Sequence, residues 1–134
     1  MALSADRNTP RKNGDIRTIA VAAATTIYAG ALVCINAAGN AVPGSAALNL
    51  TAMGRADAQA DNSGGAAGDI TVDVRRGIFS FANSAAADEI GPEDIGSTAY
   101  VVDDETVALT DGAGTRSAAG TIYDVDAQGV WIEF

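Results

Sequence analysis

The clearest hydrophobic pattern in the chain runs from Gly68 to Phe81. Ile70, Val72 and Val74 alternate with Thr71, Asp73 and Arg75, the period of a strand with one buried face. Beyond Gly77 the large side chains fall at Ile78, Phe79 and Phe81, so an unbroken register would turn both phenylalanines to water. A change of parity at Arg76-Gly77 removes the conflict, and a glycine inside a strand pattern is where a β-bulge is expected. The pattern therefore predicts one long, kinked strand. Phe79 and Phe81 should face the core or a subunit interface.

Similar alternation predicts strands along most of the chain. Asp15–Ala22 reads as a first strand; the β-branched Thr25, Thr26 and Ile27 then disfavour a helix after Ala22–Ala24. Ala31–Asn36 and a return strand ending at Pro43 flank Gly39-Asn40, a hairpin whose proline confines it to an edge or terminus. Leu48–Gln59 and the strand after the flexible loop Asp61–Gly68 form a wide-looped hairpin. The segments Ala99–Asp103 with Thr106–Thr110, and Thr121–Val125 with Val130–Phe134, form two more. Helix is expected only within Asn83–Gly96, as two short turns separated at Gly91-Pro92. The polar, breaker-rich Met1–Gly14 reads as an extended arm. The fold class is thus mainly β: one β-rich domain over residues 15–134, about eight strands, one short helical insert and the N-terminal arm.

Composition thins the expected core. Alanine supplies 29 of the 64 hydrophobic residues, and Leu, Ile, Val and Phe together make 28 of 134, close to the level below which chains disorder. Burial against copies of the chain or a partner is the expected remedy. The net charge of −9 argues against nucleic acid or an anionic membrane as partner. Four of the eight basic residues, Arg7, Arg11, Lys12 and Arg17, nevertheless fall in the first 17 positions, beside only Asp6 and Asp15. Two readings fit that segment: an arm that docks on an acidic neighbour, or a solvated terminus. No secretory leader is expected, because Met1–Gly14 lacks an apolar stretch. The uncharged Ile19–Ile35, interrupted by Thr25, Thr26, Tyr28 and Gly30, is too short and polar for a bilayer core of about 30 Å.

Candidate chemistry is sparse. Cys34 is the only cysteine, set in Ala31-Leu32-Val33-Cys34-Ile35, and there is no histidine to activate it. A buried structural thiol in a reducing compartment is expected. No Gly-x-Ser-x-Gly elbow is present, and the acids of Asp103-Asp104-Glu105, Asp111, Asp124 and Asp126 fall in or beside predicted turns without an EF-hand's spacing. The sequence therefore predicts no enzyme, no metal site and no cofactor. Arg75 and Arg76 should divide between the outer face and the bulge, with Asp73 or a neighbouring subunit as ion-pair partner. Trp131 reads as a core or interface residue, with a sugar platform as the alternative.

Several stretches carry a resemblance. Ala52-Met53-Gly54-Arg55-Ala56-Asp57 followed by Ile70 to Phe81, with Gly54, Gly77, Phe79 and Phe81 as landmarks, resembles the head decoration (capsid cement) proteins of tailed bacteriophages, the lambda head protein D family. Ala29 to Asn36 with Gly39-Asn40-Ala41-Val42-Pro43 is similar to that family's hairpin, and Ile95 to Val107 and Gly129-Val130-Trp131-Ile132 are similar to related cement proteins. The resemblance implies a small β-barrel or tulip-like domain, trimeric on the outer surface of the capsid, made in the host cytoplasm. It would clamp neighbouring copies of the major capsid protein, and Arg7, Arg11, Lys12 and Arg17 would form the capsid-binding arm. The arm is shorter and more basic than lambda-type arms, and Ala85–Ile95 has no counterpart in the family. The alternatives are a carbohydrate- or host-surface-binding β module, resting on Trp131 and the acidic turns, and a phage tail component.

Overall fold

The computed structural model describes residues 2–134. Twelve strands follow an extended N-terminal segment: β1 (Ile16–Ala20), β2 (Thr25–Ile27), β3 (Leu32–Ile35), β4 (Ala41–Pro43), β5 (Thr51–Ala56), β6 (Ala60–Asn62), β7 (Thr71–Arg75), β8 (Ile78–Phe81), β9 (Thr98–Val101), β10 (Val107–Ala108), β11 (Ala118–Asp126) and β12 (Gly129–Glu133). They form two five-stranded antiparallel sheets, ordered β1-β7-β5-β3-β4 and β10-β9-β11-β12-β8, and a small β2-β6 pair. The chain is mainly β, as its alternation predicts. Pro43, which cannot donate to a ladder, ends β4 at a sheet edge.

The two large sheets are built alike. With its own five strands numbered in chain order, each sheet reads first–fifth–fourth–second–third. Their registers match as well. The fifth strand ends opposite the first residue of the first strand, as Arg75 against Ile16 and Glu133 against Ile78. The second strand meets a glycine of the fourth, as Val33 against Gly54 and Ala99 against Gly120, and a one-residue bulge follows at Met53 and at Ala119. Corresponding backbone bonds close each unit: Arg76 N–H donates to the Asp15 carbonyl (2.9 Å), and Phe134 N–H donates to the Gly77 carbonyl (3.0 Å). The molecule is therefore two lobes of one topology, residues 15–76 and 77–134. The half-chains differ sharply in charge. Residues 1–76 hold seven basic and six acidic side chains, whereas residues 77–134 hold one basic and eleven acidic.

Two expectations are corrected. The barrel is not closed: each sheet curls until its edges touch at one parallel bridge, Val21 with Ala41 and Ala82 with Thr106, and otherwise stays open. The long kinked strand is two strands in different sheets, and Arg76-Gly77 is the joint between the lobes rather than a bulge. Alternation reports which face a residue takes, not which sheet it belongs to. The helical insert forms as the two short turns expected, both of them 3-10: Ala86–Asp88 and Pro92–Asp94. The second is tied by Gly91 N–H donating to Asp94 Oδ2 (2.8 Å).

Two cores result. Val21, Ile27, Val33, Val72 and Val74 centre that of the N-terminal lobe, with alanines filling the gaps. Phe81, Ile90, Val101, Ile122, Val130 and Ile132 centre the other, which also takes in Leu32 and Cys34 from the outer face of β3. The second core is thus completed by the first lobe.

Candidate functional site

Residues 2–14 form no strand or helix, and every side chain there is exposed. Arg7, Arg11 and Lys12 make no ion pair among the described residues. Arg17 belongs to the body instead: it is the second residue of β1, opposite Val74, with its guanidinium 3.6 Å from Met53 Sδ. Between the arm and the first sheet lies a groove of about 590 Å³, floored by Ile19, Ile35 and Met53 and rimmed by Lys12, Ile16 and Arg17. It is the mouth of the N-terminal lobe, on the side where the sheet stays open.

Arg75 does not pair with Asp73. Its Nε and Nη2 donate to the two oxygens of Asp57 at 3.2 and 3.1 Å, and Arg55 Nη2 donates to Asp57 Oδ1 at 2.9 Å. Asp73 accepts the Thr18 hydroxyl at 2.7 Å. Hydrogen bonds from Arg55 and then Arg75 hold the Asp57 carboxyl below its ordinary range. One carboxylate between two guanidinium groups leaves the cluster positive. Arg55 stacks over the Phe79 ring at 4.5 Å, with its buried Nε unpartnered. Arg76 lies outside the cluster, its Nε donating to the Phe134 carbonyl at 3.2 Å. The alternation of β5 and β7 predicts that Arg55, Asp57 and Arg75 share a face; their cross-strand register, which sequence reasoning missed, makes them neighbours.

Phe81 is buried and Phe79 packs at the edge of the same core. Both rings meet Phe134, Phe81 edge-on at 5.8 Å between centroids and Phe79 tilted at 6.4 Å. Trp131 is half-buried on β12, and its indole N–H donates to Asp126 Oδ2 at 2.9 Å.

The acidic turns are occupied locally. Asp103 accepts the Glu105 N–H, and Asp126 accepts the Gln128 N–H as well as the Trp131 indole. Asp88 takes the Thr110 hydroxyl and pairs with Arg116 at 3.2 Å; both hold its carboxyl below the ordinary range, the hydroxyl more strongly. Among the described residues no three His, Cys, Asp or Glu side chains come together to hold a metal ion, and no helix is long and apolar enough to cross a membrane. Cys34 is fully buried, and burial pushes its thiol up to about 12. What the arrangement offers is recognition surface: a basic arm and apolar groove on one lobe, and an acidic second lobe.

No family model, curated protein or solved structure matches the chain.

Proposed function

We propose that the protein is a structural virion component that binds the outer surface of a tailed-phage capsid as a trimer and clamps neighbouring copies of the major capsid protein. The observation that carries this reading is the exposed, unpaired basic arm on a compact β body. An arm of this kind is suited to lying along an acidic shell, and ligation to the assembled state alone stabilises that state. Three arms on one trimer add avidity to individually weak contacts. The protein acts by binding, without catalysis or cofactor, on the outside of particles assembled in the host cytoplasm. A carbohydrate-binding module would rest on Trp131, whose indole N–H is already held by Asp126.

Electron microscopy of particles made with and without the protein tests the reading. Surface density should vanish when the protein is omitted; particles indistinguishable in the two preparations would rule the role out. A chain lacking residues 1–14 should keep the wild-type circular dichroism melt and lose binding to isolated shells. Shell binding unchanged by that truncation would remove the arm from the mechanism.

A further inference from the structure

The two lobes share a build but differ in what covers them. Phe79, Phe81, Val101 and Ala119 form the mouth of the C-terminal lobe, and Leu32, Cys34, Val42, Leu50 and Ala52 on the outer face of the N-terminal lobe close it in one cluster. Two contacts mark that seating. Arg55 stacks on Phe79, and Gly44 sits so near Val101 that an added Cβ would stand 2.9 Å from its Cγ1.

The matching registers carry Phe79, Phe81, Val101 and Ala119 onto Arg17, Ile19, Ile35 and Met53. These four line the open groove of the N-terminal lobe. The same registers carry the covering residues Leu32, Cys34, Ala52 and Arg55 onto Thr98, Tyr100, Ala118 and Thr121. Of these, Thr98, Ala118 and Thr121 are exposed and Tyr100 is half-buried. Val42 is carried onto Ala108, which is buried, so each chain keeps one uncovered mouth and, over β9 and β11, one uncovered face, the counterparts of the surfaces that meet inside it.

We propose that the groove is occupied by a second copy of this chain, with the outer face of that copy's C-terminal lobe seated on the N-terminal mouth. Charge complements the fit, because the mouth is rimmed by Lys12 and Arg17 while the incoming half-chain carries one basic and eleven acidic residues. Arg17 stands where Phe79 meets Arg55, so it faces Thr121 of the next copy and Glu133, the cross-strand neighbour of Thr121. Mouth and face are different surfaces, so the contact is heterologous and runs head to tail until a ring closes or a filament grows. The self-association does not depend on a capsid as the final target, and it is tested without one.

Sedimentation velocity on the full purified chain reads the outcome. The expected result is a species of several times the 13.4 kDa chain mass. Arg17→Glu and Glu133→Arg, both at exposed positions, should each reduce it to monomer with an unchanged circular dichroism melt. The doubly exchanged chain, in which every contact regains opposite charges, should restore the larger species. A wild-type chain that is monomeric at every soluble concentration overturns the proposal. So does an oligomer that both single variants leave intact, or a doubly exchanged chain that stays monomeric.

Discussion

The Cys34 thiol lies on β3 where the lobes meet, and its burial among Leu32, Ala99 and Val101 decides its chemistry. The thiolate is disfavoured in the folded state, so the thiol should resist alkylating reagents at pH 8 and react once urea unfolds the chain. The linkage has a definite sign. A thiol raised to about 12 contributes stability that is fully present below the ordinary thiol value of about 8.5 and is lost as pH climbs toward 12. Alkaline melts of wild type should fall across that window, and those of Cys34→Ala should fall less. Asp57 gives the opposite case. Its carboxyl is lowered, so its contribution is present above about pH 4 and disappears as pH falls through the folded value. Asp57→Asn, which leaves Arg55 and Arg75 facing each other without a counter-charge, should lower the melting temperature at pH 7 and flatten the acid limb of the stability profile. An acid limb as steep as wild type would mean that Asp57 is not a source of it.

At the scale of the element, the bulged fourth strands fix the geometry of both lobes. Gly54 has φ +138° and lies against the Arg75 carbonyl, and Gly120 lies against that of Glu133, so a Cβ at either position collides with backbone. Gly54→Ala and Gly120→Ala should each cost about 2–3 kcal/mol in urea denaturation, whereas Gly64→Ala, which meets open space, should stay within about 0.5 kcal/mol of wild type. Strands with two or more alternating β-branched or aromatic residues were legible in the sequence, β7, β8, β11 and β12 above all. The three-residue β2 and β6 were not. Three residues hold too little periodicity to read, and Ala60-Asp61-Asn62 contains no β-branched side chain. The segment is held by a contact that sequence does not display: Asn62 Nδ2 donates to the carbonyls of Ala22 and Ala66, each at 2.9 Å. Of the candidate site, the charge of Arg7, Arg11 and Lys12 was visible at once. The groove beside them was not, because its floor comes from three strands far apart in sequence.

The repeat was hidden at the scale of the whole molecule because matched positions keep a role rather than a residue. Leu32 corresponds to Thr98, Cys34 to Tyr100 and Met53 to Ala119, and connections of unequal length remove any fixed period. Divergence of this kind is expected when one lobe must cover its neighbour and the other must not be covered by the same chain. It also makes the lobes unequal in self-sufficiency. The C-terminal core depends on Leu32 and Cys34 from the N-terminal lobe, while the N-terminal core draws its buried residues from its own half. A chain of roughly 60 residues is marginal even with a complete core. The fragment 77–134 should therefore show no cooperative thermal transition alone, and should regain one when mixed with the fragment 1–76. In the intact chain, Leu32→Ala should cost about 2–5 kcal/mol and lower a single transition shared by both lobes, not split it in two. A cooperative melt by the isolated C-terminal fragment would make the lobes independent domains. The contact between them would then be too weak to serve as the pattern for a contact between chains.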